Sequence, residues 1–459
     1  MAIATRVEGL EQFRLAIAMT PIGWAVLLKL ATAVFGQSEL VLRAVPFGFG
    51  CLGMWAAHRA GRRLAGHPLG GILALAAVAF DPLEVAFAKV LKQYTAEAFF
   101  CVLAIDRAAA FAERRHRRDL VVLSLVLALG LAFANSQLFL APPVFATLLV
   151  DAFVRRDRRA LRDLVVATAV VGVWDLLYYR SLVAPHLPST LAGVDPYWGA
   201  QVYLPARPLD AVAILWERLR WALGPALGSY GFPIAMLCLC VAALRPRRGV
   251  AAIAMLLLVA EVALLSMLHR IAVSQPRILI FLTSALAAFG AAAVAAFLVR
   301  ATARVATAIV AAAVLAILIH GFVASHSWRT LARATRVEDA GRLVRVLERQ
   351  LQPTDVVLLH QATLFIYGYY QGATPVLDAM PSLSVGWVPR LTDRRVVLVN
   401  DPNLPEQARR ALRASPRVWF LASRIRFGRE KRIRTVLTQL GTIVVDRRRP
   451  GALLLRLER

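Results

Sequence analysis

The chain is 459 residues long and 59% hydrophobic, with only 18% charged residues, against roughly 25% in an ordinary soluble domain. Lys and Arg number 54 against 28 Asp and Glu, for a formal net charge of +26. The hydrophobicity excludes a simple soluble enzyme, and the charge implies nucleic acid only if the basic residues lie outside loops between membrane spans.

Met1 is followed by a mixed polar stretch with Arg6, Glu8, Glu11 and Arg14, not by the basic region and apolar core of a signal peptide. Residues 21–36 are apolar but short, contain Trp24 and are interrupted by Lys29, which predicts an interfacial helix. About ten spans follow, near residues 40–57, 68–88, 95–112, 120–135, 137–153, 164–182, 229–244, 250–268, 278–299 and 305–324. Every second connection is basic. His58, Arg59, Arg62 and Arg63 follow the first span, Arg114, Arg115, Arg117 and Arg118 the third, and Arg155, Arg156, Arg158, Arg159 and Arg162 the fifth. Arg245, Arg247 and Arg248 follow the seventh, Arg300 and Arg304 the ninth. These loops mark the cytoplasmic side, so the charge is topological and no nucleic-acid partner is needed. The N-terminus, the turns at 89–94, 135–137 and 269–277, the loop at 183–228 and the C-terminal tail then face outward. That long loop carries Tyr197, Trp198, Tyr203, Trp216 and Trp221, suited to a membrane interface. Cys51, Cys101, Cys238 and Cys240 lie within apolar runs and read as packing residues.

From about residue 326 β-rich stretches at 355–360, 396–400 and 417–422 alternate with helical patterns at 336–351, 405–415 and 429–440. A hairpin at 442–446 and 452–457 turns at Pro450 and Gly451. The fold class is a polytopic α-helical membrane protein of about ten spans with a small C-terminal extracytoplasmic α/β domain. Its divisions are an outer interfacial segment (1–38), a transmembrane domain (39–325) and the α/β domain (326–459). No glycine-rich phosphate loop follows a strand, and no repeats stand out.

Ionisable groups in or beside membrane helices are functional candidates because each carries a desolvation cost of a few kcal/mol. Asp81, Glu84, Lys89, Lys92, Gln93, Tyr94 and Glu97 gather around one outward turn. Two lysines and a tyrosine hydroxyl suit a phosphate or pyrophosphate, with Glu97 orienting a lysine; interfacial snorkelling with local ion pairs is the plainer account. A second group is His269, Arg270 and Arg277, with Arg277 placed in the first turn of the next helix, where the dipole disfavours a cation and an anionic partner is called for; snorkelling or pairing with a local acid is an equal alternative. Glu39 and Arg43, four apart, suit a salt bridge on one helical face. Asp175 and Glu261 are expected to pair with basic residues inside the bundle. Arg424, Arg426, Arg429, Lys431, Arg432, Arg434 and Arg447 to Arg449 make the C-terminal domain basic, as a solvated face near anionic head groups or an acceptor-binding surface.

Several segments, in order, resemble the GT-C superfamily of polytopic glycosyltransferases, which includes protein O-mannosyltransferases and lipid A aminoarabinose transferases. Thr20-Pro21-Ile22-Gly23-Trp24, Phe35-Gly36-Gln37-Ser38-Glu39 and Leu42-Arg43 are similar to that family's approach to its second span. Lys92-Gln93-Tyr94-Thr95-Ala96-Glu97 resembles the Lys-Gln-Tyr-Ser-x-Asp turn of one branch, the most specific of these matches. His269-Arg270 followed by Arg277-Ile278-Leu279-Ile280-Phe281, and in the tail Pro353 to Val357 and Arg417 to Leu421, also have counterparts there.

The resemblance implies sugar transfer from a polyprenyl-phosphate carrier to an acceptor glycan, lipid or protein on the outer side of a bacterial cytoplasmic membrane. No cofactor or metal is expected. Lys92, Tyr94, Arg277, Lys89 and His269 would face the donor phosphate, supported by Gln93, Glu97, Glu39 and Arg43. Cations there stabilise charge on the departing phosphate, and a carboxylate deprotonates the acceptor hydroxyl. In the family that acid follows an additional first span; measured back from Pro21 and Arg6 its position falls before Met1, so an upstream helix bearing the acid is expected. Two other readings stay open: a transporter or flippase for an anionic lipid or sugar-lipid, and an inactive partner of a related enzyme.

Overall fold

A computed structural model describes residues 20–184, 202–245, 249–274, 277–301, 303–332, 339–377, 387–423 and 428–459. Tyr197, Trp198, Arg247, Arg248, Pro276, Arg424, Arg426 and the polar residues before Met19 lie outside the described residues. The chain divides into two compact units, Thr20–Ala332 and one that contains Arg333–Arg459.

The first unit is helical: α1 Ile22–Phe35, α2 Glu39–Ala65, α3 Pro68–Ala79, α4 Pro82–Phe87, α5 Tyr94–Arg114, α6 Arg117–Phe133, α7 Ala141–Val154, α8 Arg158–Tyr178, α9 Pro208–Ala243, α10 Gly249–Met267, α11 Ile280–Ala301, α12 Arg304–Ala324 and α13 Ser327–Ala332. Among the described residues, five segments are long and apolar enough to cross a membrane: Glu39–Ala65, Asn135–Val154, Gly249–Met267, Ile280–Ala301 and Arg304–Ala324. Local chemistry sets the boundaries. The Ser38 hydroxyl accepts from the Val41 N–H at 3.2 Å, Arg62 and Arg63 lie in the last turn of α2, and Gly66 ends the helix with φ 68°. Helix α11 is the centre of the bundle, buried on nearly every face and packed against α2, α3, α5 and α9.

Four expectations change. The stretch at 68–88 is two helices, because Asp81 accepts from the Leu83 N–H at 3.0 Å and Pro82 starts a new helix. The loop expected at 183–228 gives way to helix from Pro208, whose Ala211, Leu215, Leu219 and Ala222 recur three or four apart and are buried. The rings of Trp216 and Phe232 meet at a tilt of 49°, with centroids 4.7 Å apart. Trp24 is no interfacial anchor: it is fully buried, 5.7 Å from the ring of Phe49, in an aromatic cluster with Phe99, Phe100 and Phe133. Gly23 permits that packing, since a Cβ there would stand 2.8 Å from the carbonyl oxygen of Ala132 on α6. Finally, Asp175 and Glu261 form no ion pair among the described residues; both are half-buried on helix faces that bring no basic side chain to them.

The second unit contains α14 Ala340–Gln350, β1 Val356–His360, α15 Leu364–Tyr370, β2 Pro375–Leu377, β3 Trp387–Pro389, β4 Val396–Val399, α16 Leu404–Ala414, β5 Arg417–Ser423, α17 Arg429–Thr438, β6 Thr442–Arg449 and β7 Ala452–Glu458. Its five-stranded sheet runs β4-β1-β5-β7-β6, with β4, β1 and β5 parallel and β7 antiparallel to both neighbours. Leu404, Ala408, Leu412, Ile433 and Leu437 of α16 and α17 pack on one face, and Leu343, Val344, Leu347, Leu364 and Tyr367 of α14 and α15 on the other. Trp419 of β5, fully buried, donates from Nε1 to Asp355 at 2.8 Å. Several of the basic residues expected on a solvated face are paired: Arg429 with Asp401, and Arg434 with both Glu430 and Asp446.

Candidate functional site

The turn between α4 and α5 is held by the start of α2. Arg43 donates from Nη1 to the carbonyl of Lys89 at 3.2 Å and pairs with Glu39 at 3.6 Å, and buried Thr95 donates to the carbonyl of Pro46 at 2.8 Å. Pro46 is inside α2, so this bond ties the first turn of α5 to the interior of α2. Glu39 and Arg43 therefore form the expected pair, and Arg43 also fixes the turn.

Three of the proposed residues converge at the head of α5. Tyr94 lies within electrostatic reach of both Arg277 and Glu97, and its ring meets Phe87 edge-on with centroids 4.9 Å apart. Arg277 is half-buried in the turn preceding α11 rather than inside the helix's first turn. The helix starts at Ile280, with Leu279 accepting from the Leu282 N–H at 2.9 Å and the Thr283 N–H at 2.8 Å, so the dipole argument from sequence does not apply. What Arg277 brings is a cation within electrostatic reach of Tyr94, at the entrance to the central helix.

Glu97 is buried one turn into α5, where the side chains of Gln93 and Ser136 approach its carboxyl. Gln137 donates to the Glu97 carbonyl at 3.3 Å, while its own side-chain oxygen and that of Gln93 are buried without a hydrogen-bond partner among the described residues. Ser136 and Gln137 were not singled out in the sequence; the signal available was the polar triplet Asn135-Ser136-Gln137 interrupting an apolar run. Deeper in the unit, Glu84 accepts from the Ser284 hydroxyl of α11, and Asp81 caps α4.

The remaining candidates are placed differently. Lys89 donates from Nζ to the carbonyls of Thr330 and Leu331, the latter at 2.6 Å, and so ties down the end of α13. Burial, and then the neighbouring Arg43, lower the pKa of its ammonium. Lys92 is half-buried in the turn. His269, exposed and with φ 56°, stacks on Tyr203 at 4.8 Å. That contact belongs to a wider junction: Val273 and Ser274 donate to the carbonyl of Val202, as does Arg218, and the Ser266 hydroxyl accepts from the Leu204 N–H. Among the described residues no three His, Cys, Asp or Glu side chains gather as metal ligands.

Residues 19–179 match the family model of dolichyl-phosphate-mannose-protein mannosyltransferases. No curated protein sequence matches the chain. Among solved structures, ArnT from Cupriavidus metallidurans bound to undecaprenyl phosphate is 14% identical with a TM-score of 0.56, over 96% of this chain and 88% of that one. The same protein in its apo state gives 14% identity and a TM-score of 0.53, over 95% and 87%. The Archaeoglobus fulgidus oligosaccharyltransferase in complex with Zn and sulfate gives 12% and 0.50, over 88% of this chain and 59% of that chain. Residues 19–179 thus resemble the protein mannosyltransferase family in sequence, and the chain shares its fold with ArnT along most of its length.

Proposed function

We propose that this protein is a membrane glycosyltransferase that moves a sugar from a polyprenyl-phosphate donor to an acceptor on the outer side of a bacterial cytoplasmic membrane, with its C-terminal unit on that side. The observation that carries the reading is the convergence of Arg277 and Tyr94 at the head of α5, next to Lys92 in the same turn. A guanidinium, a phenol and an ammonium suit a phosphate that gains charge as the sugar leaves it. The family match and a structural relative that binds undecaprenyl phosphate support the same donor class. Glu97, with the unpartnered amide oxygens of Gln93 and Gln137, supplies acceptors of the kind that sugar hydroxyls require. Lys89 is omitted from the phosphate set because its ammonium holds the carbonyls of α13. No described carboxylate is assigned as the base, and the chemistry proposed for these residues needs no metal or cofactor.

The test is binding first and turnover second. Undecaprenyl phosphate is titrated against the purified full chain, and a panel of polyprenyl-phosphate sugars is then offered to proteoliposomes containing it. A charge-assisted contact contributes about 1.5–3 kcal/mol, so Arg277→Ala and Lys92→Ala should each weaken undecaprenyl-phosphate binding roughly 10- to 150-fold. Binding unchanged in both variants refutes the phosphate assignment. Movement of intact lipid across the bilayer without sugar transfer refutes the enzyme in favour of a flippase.

A further inference from the structure

We propose that the basic cleft between the end of α2 and the start of α3 binds the phosphate ester of an anionic phospholipid head group, at a site separate from the head of α5. A cavity of about 540 Å³ opens there, lined by Trp55, His58, Arg59, Arg62, Arg63 and Glu113 among others. Its charges do not cancel. The fully buried carboxylate of Asp106 on α5 takes Arg63 at 2.8 Å, Arg59 at 3.2 Å and Arg107. Among the described residues Glu113 pairs with Arg63 alone, at 2.6 Å. Arg62 adds a fourth guanidinium, exposed and in no ion pair among the described residues. The four arginines exceed the two carboxylates by two positive charges; Arg59, Arg62 and Arg63 line the concavity with Glu113, while Asp106 and Arg107 are buried and do not line it. Arg114, at the end of α5, has its own acid, Asp119, at 3.7 Å.

The walls of the cleft are built to keep this geometry. A Cβ on Gly61 would stand 2.3 Å from the Gly70 carbonyl oxygen, and one on Gly70 would stand 2.4 Å from that of Gly61, so only glycines allow α2 and α3 to cross this closely. A Cβ on Gly71 would meet Arg62 and His58 at under 3 Å. His67, also on the rim, accepts the Leu69 N–H at Nδ1, which leaves its Nε2 as a donor when the ring is neutral.

The apolar surroundings favour a lipid over a free anion. Leu52, Trp55, Arg59 and Arg62 follow one another at steps of three and four and so share one face of α2. Leu52 and Trp55 are 45% and 49% exposed, and the Arg59 guanidinium lies 5.7 Å from the centre of the Trp55 ring. Guanidiniums at one end of a stripe and exposed apolar side chains at the other match a phosphate carrying acyl chains; inorganic phosphate would use only the first part. Basic recesses between membrane helices are known to hold such head groups.

The full chain, purified in detergent, is examined by native mass spectrometry and by thermal unfolding with phosphatidylglycerol, phosphatidylcholine or inorganic phosphate. Phosphatidylglycerol should be retained and should raise Tm, whereas phosphatidylcholine should do neither. Arg62→Glu should weaken phosphatidylglycerol binding at least tenfold and Arg62→Ala by less, while Arg158→Glu in another basic loop should leave it unchanged. Equal loss in Arg62→Glu and Arg158→Glu would show diffuse attraction and overturn the site. Equal stabilisation by phosphatidylcholine would overturn the head-group specificity. Inorganic phosphate that stabilises the chain by itself and displaces phosphatidylglycerol would overturn the lipid as the source.

Discussion

Removing the carboxylate of Asp106 should be among the most destabilising single changes in the helical unit. Its side chain is wholly buried on α5 and receives guanidiniums from Arg59 and Arg63 of α2 and from Arg107 beside it. In Asp106→Ala, Arg63 retains Glu113 at 2.6 Å, whereas Arg107, itself buried, loses the acid it pairs with among the described residues. Breaking a buried pair by deleting one partner costs about 3–5 kcal/mol, mostly from the charge left behind. Asp163, whose partners Arg117 and Arg162 are largely exposed, provides the comparison; its loss should cost about 0–1 kcal/mol. Thermal and denaturant unfolding of the detergent-solubilised protein, followed by circular dichroism, measures both. The double replacement Asp106→Leu with Arg107→Met removes both charges and fills the space, so it should recover much of the loss. The reasoning fails if Asp106→Ala is no worse than Asp163→Ala, or if the double variant is as unstable as Asp106→Ala.

Three other outcomes follow from the same structure. Gly70→Val should disrupt the α2–α3 crossing, because its side chain would meet backbone 2.4 Å away; the loss of about 1–3 kcal/mol expected for overpacking should appear in thermal unfolding, together with weaker phosphatidylglycerol retention. In the C-terminal unit, burial and then Arg429 lower the pKa of His360 below 6.5 despite the carboxylate of Asp401 at 3.3 Å. The unfolded chain therefore binds this proton more readily than the folded one, so the stabilisation is present above about pH 6.5 and is lost as pH falls through the lower folded value. His360→Asn should flatten this part of the stability-against-pH curve, and an unchanged slope would refute the assignment. Third, Trp419→Phe keeps the packing of β5 but leaves the buried Asp355 without its 2.8 Å donor, which should cost about 1–3 kcal/mol in denaturant unfolding.

Much of the helical unit is legible locally. Ser38 before Glu39, His67-Pro68 and Asp81-Pro82 each present a capping group at a helix start, and Gly66 ends α2. The basic clusters are equally plain in one dimension. In the C-terminal unit the long strands and the hairpin around Pro450-Gly451 follow from alternation and turn chemistry, whereas β2 and β3, three residues each, are too short to leave a pattern. In the 208–228 segment the tryptophans point to an interface, whereas the three-and-four spacing of Leu215, Leu219 and Ala222 is the pattern that the helix follows.

The candidate sites divide in the same way. The residue types at the head of α5 stand side by side in the chain as Lys92-Gln93-Tyr94, but Arg277 reaches Tyr94 only through the packing of α11 into the centre of the bundle. Lys89 looks like a ligand for phosphate in sequence and becomes a helix tie in space, since its carbonyl acceptors lie more than 240 residues onward. The arginines in the last turns of α2 read as topology until Asp106 and Glu113, 43 and 50 residues beyond Arg63, are brought against them. Sequence by itself determined the hydrophobic segments and the alternation of basic loops, because hydropathy acts between residues a few positions apart. Only the tertiary structure decided which charges are neutralised and which are left over, because that depends on glycine-mediated helix crossings that bring distant side chains within hydrogen-bonding distance.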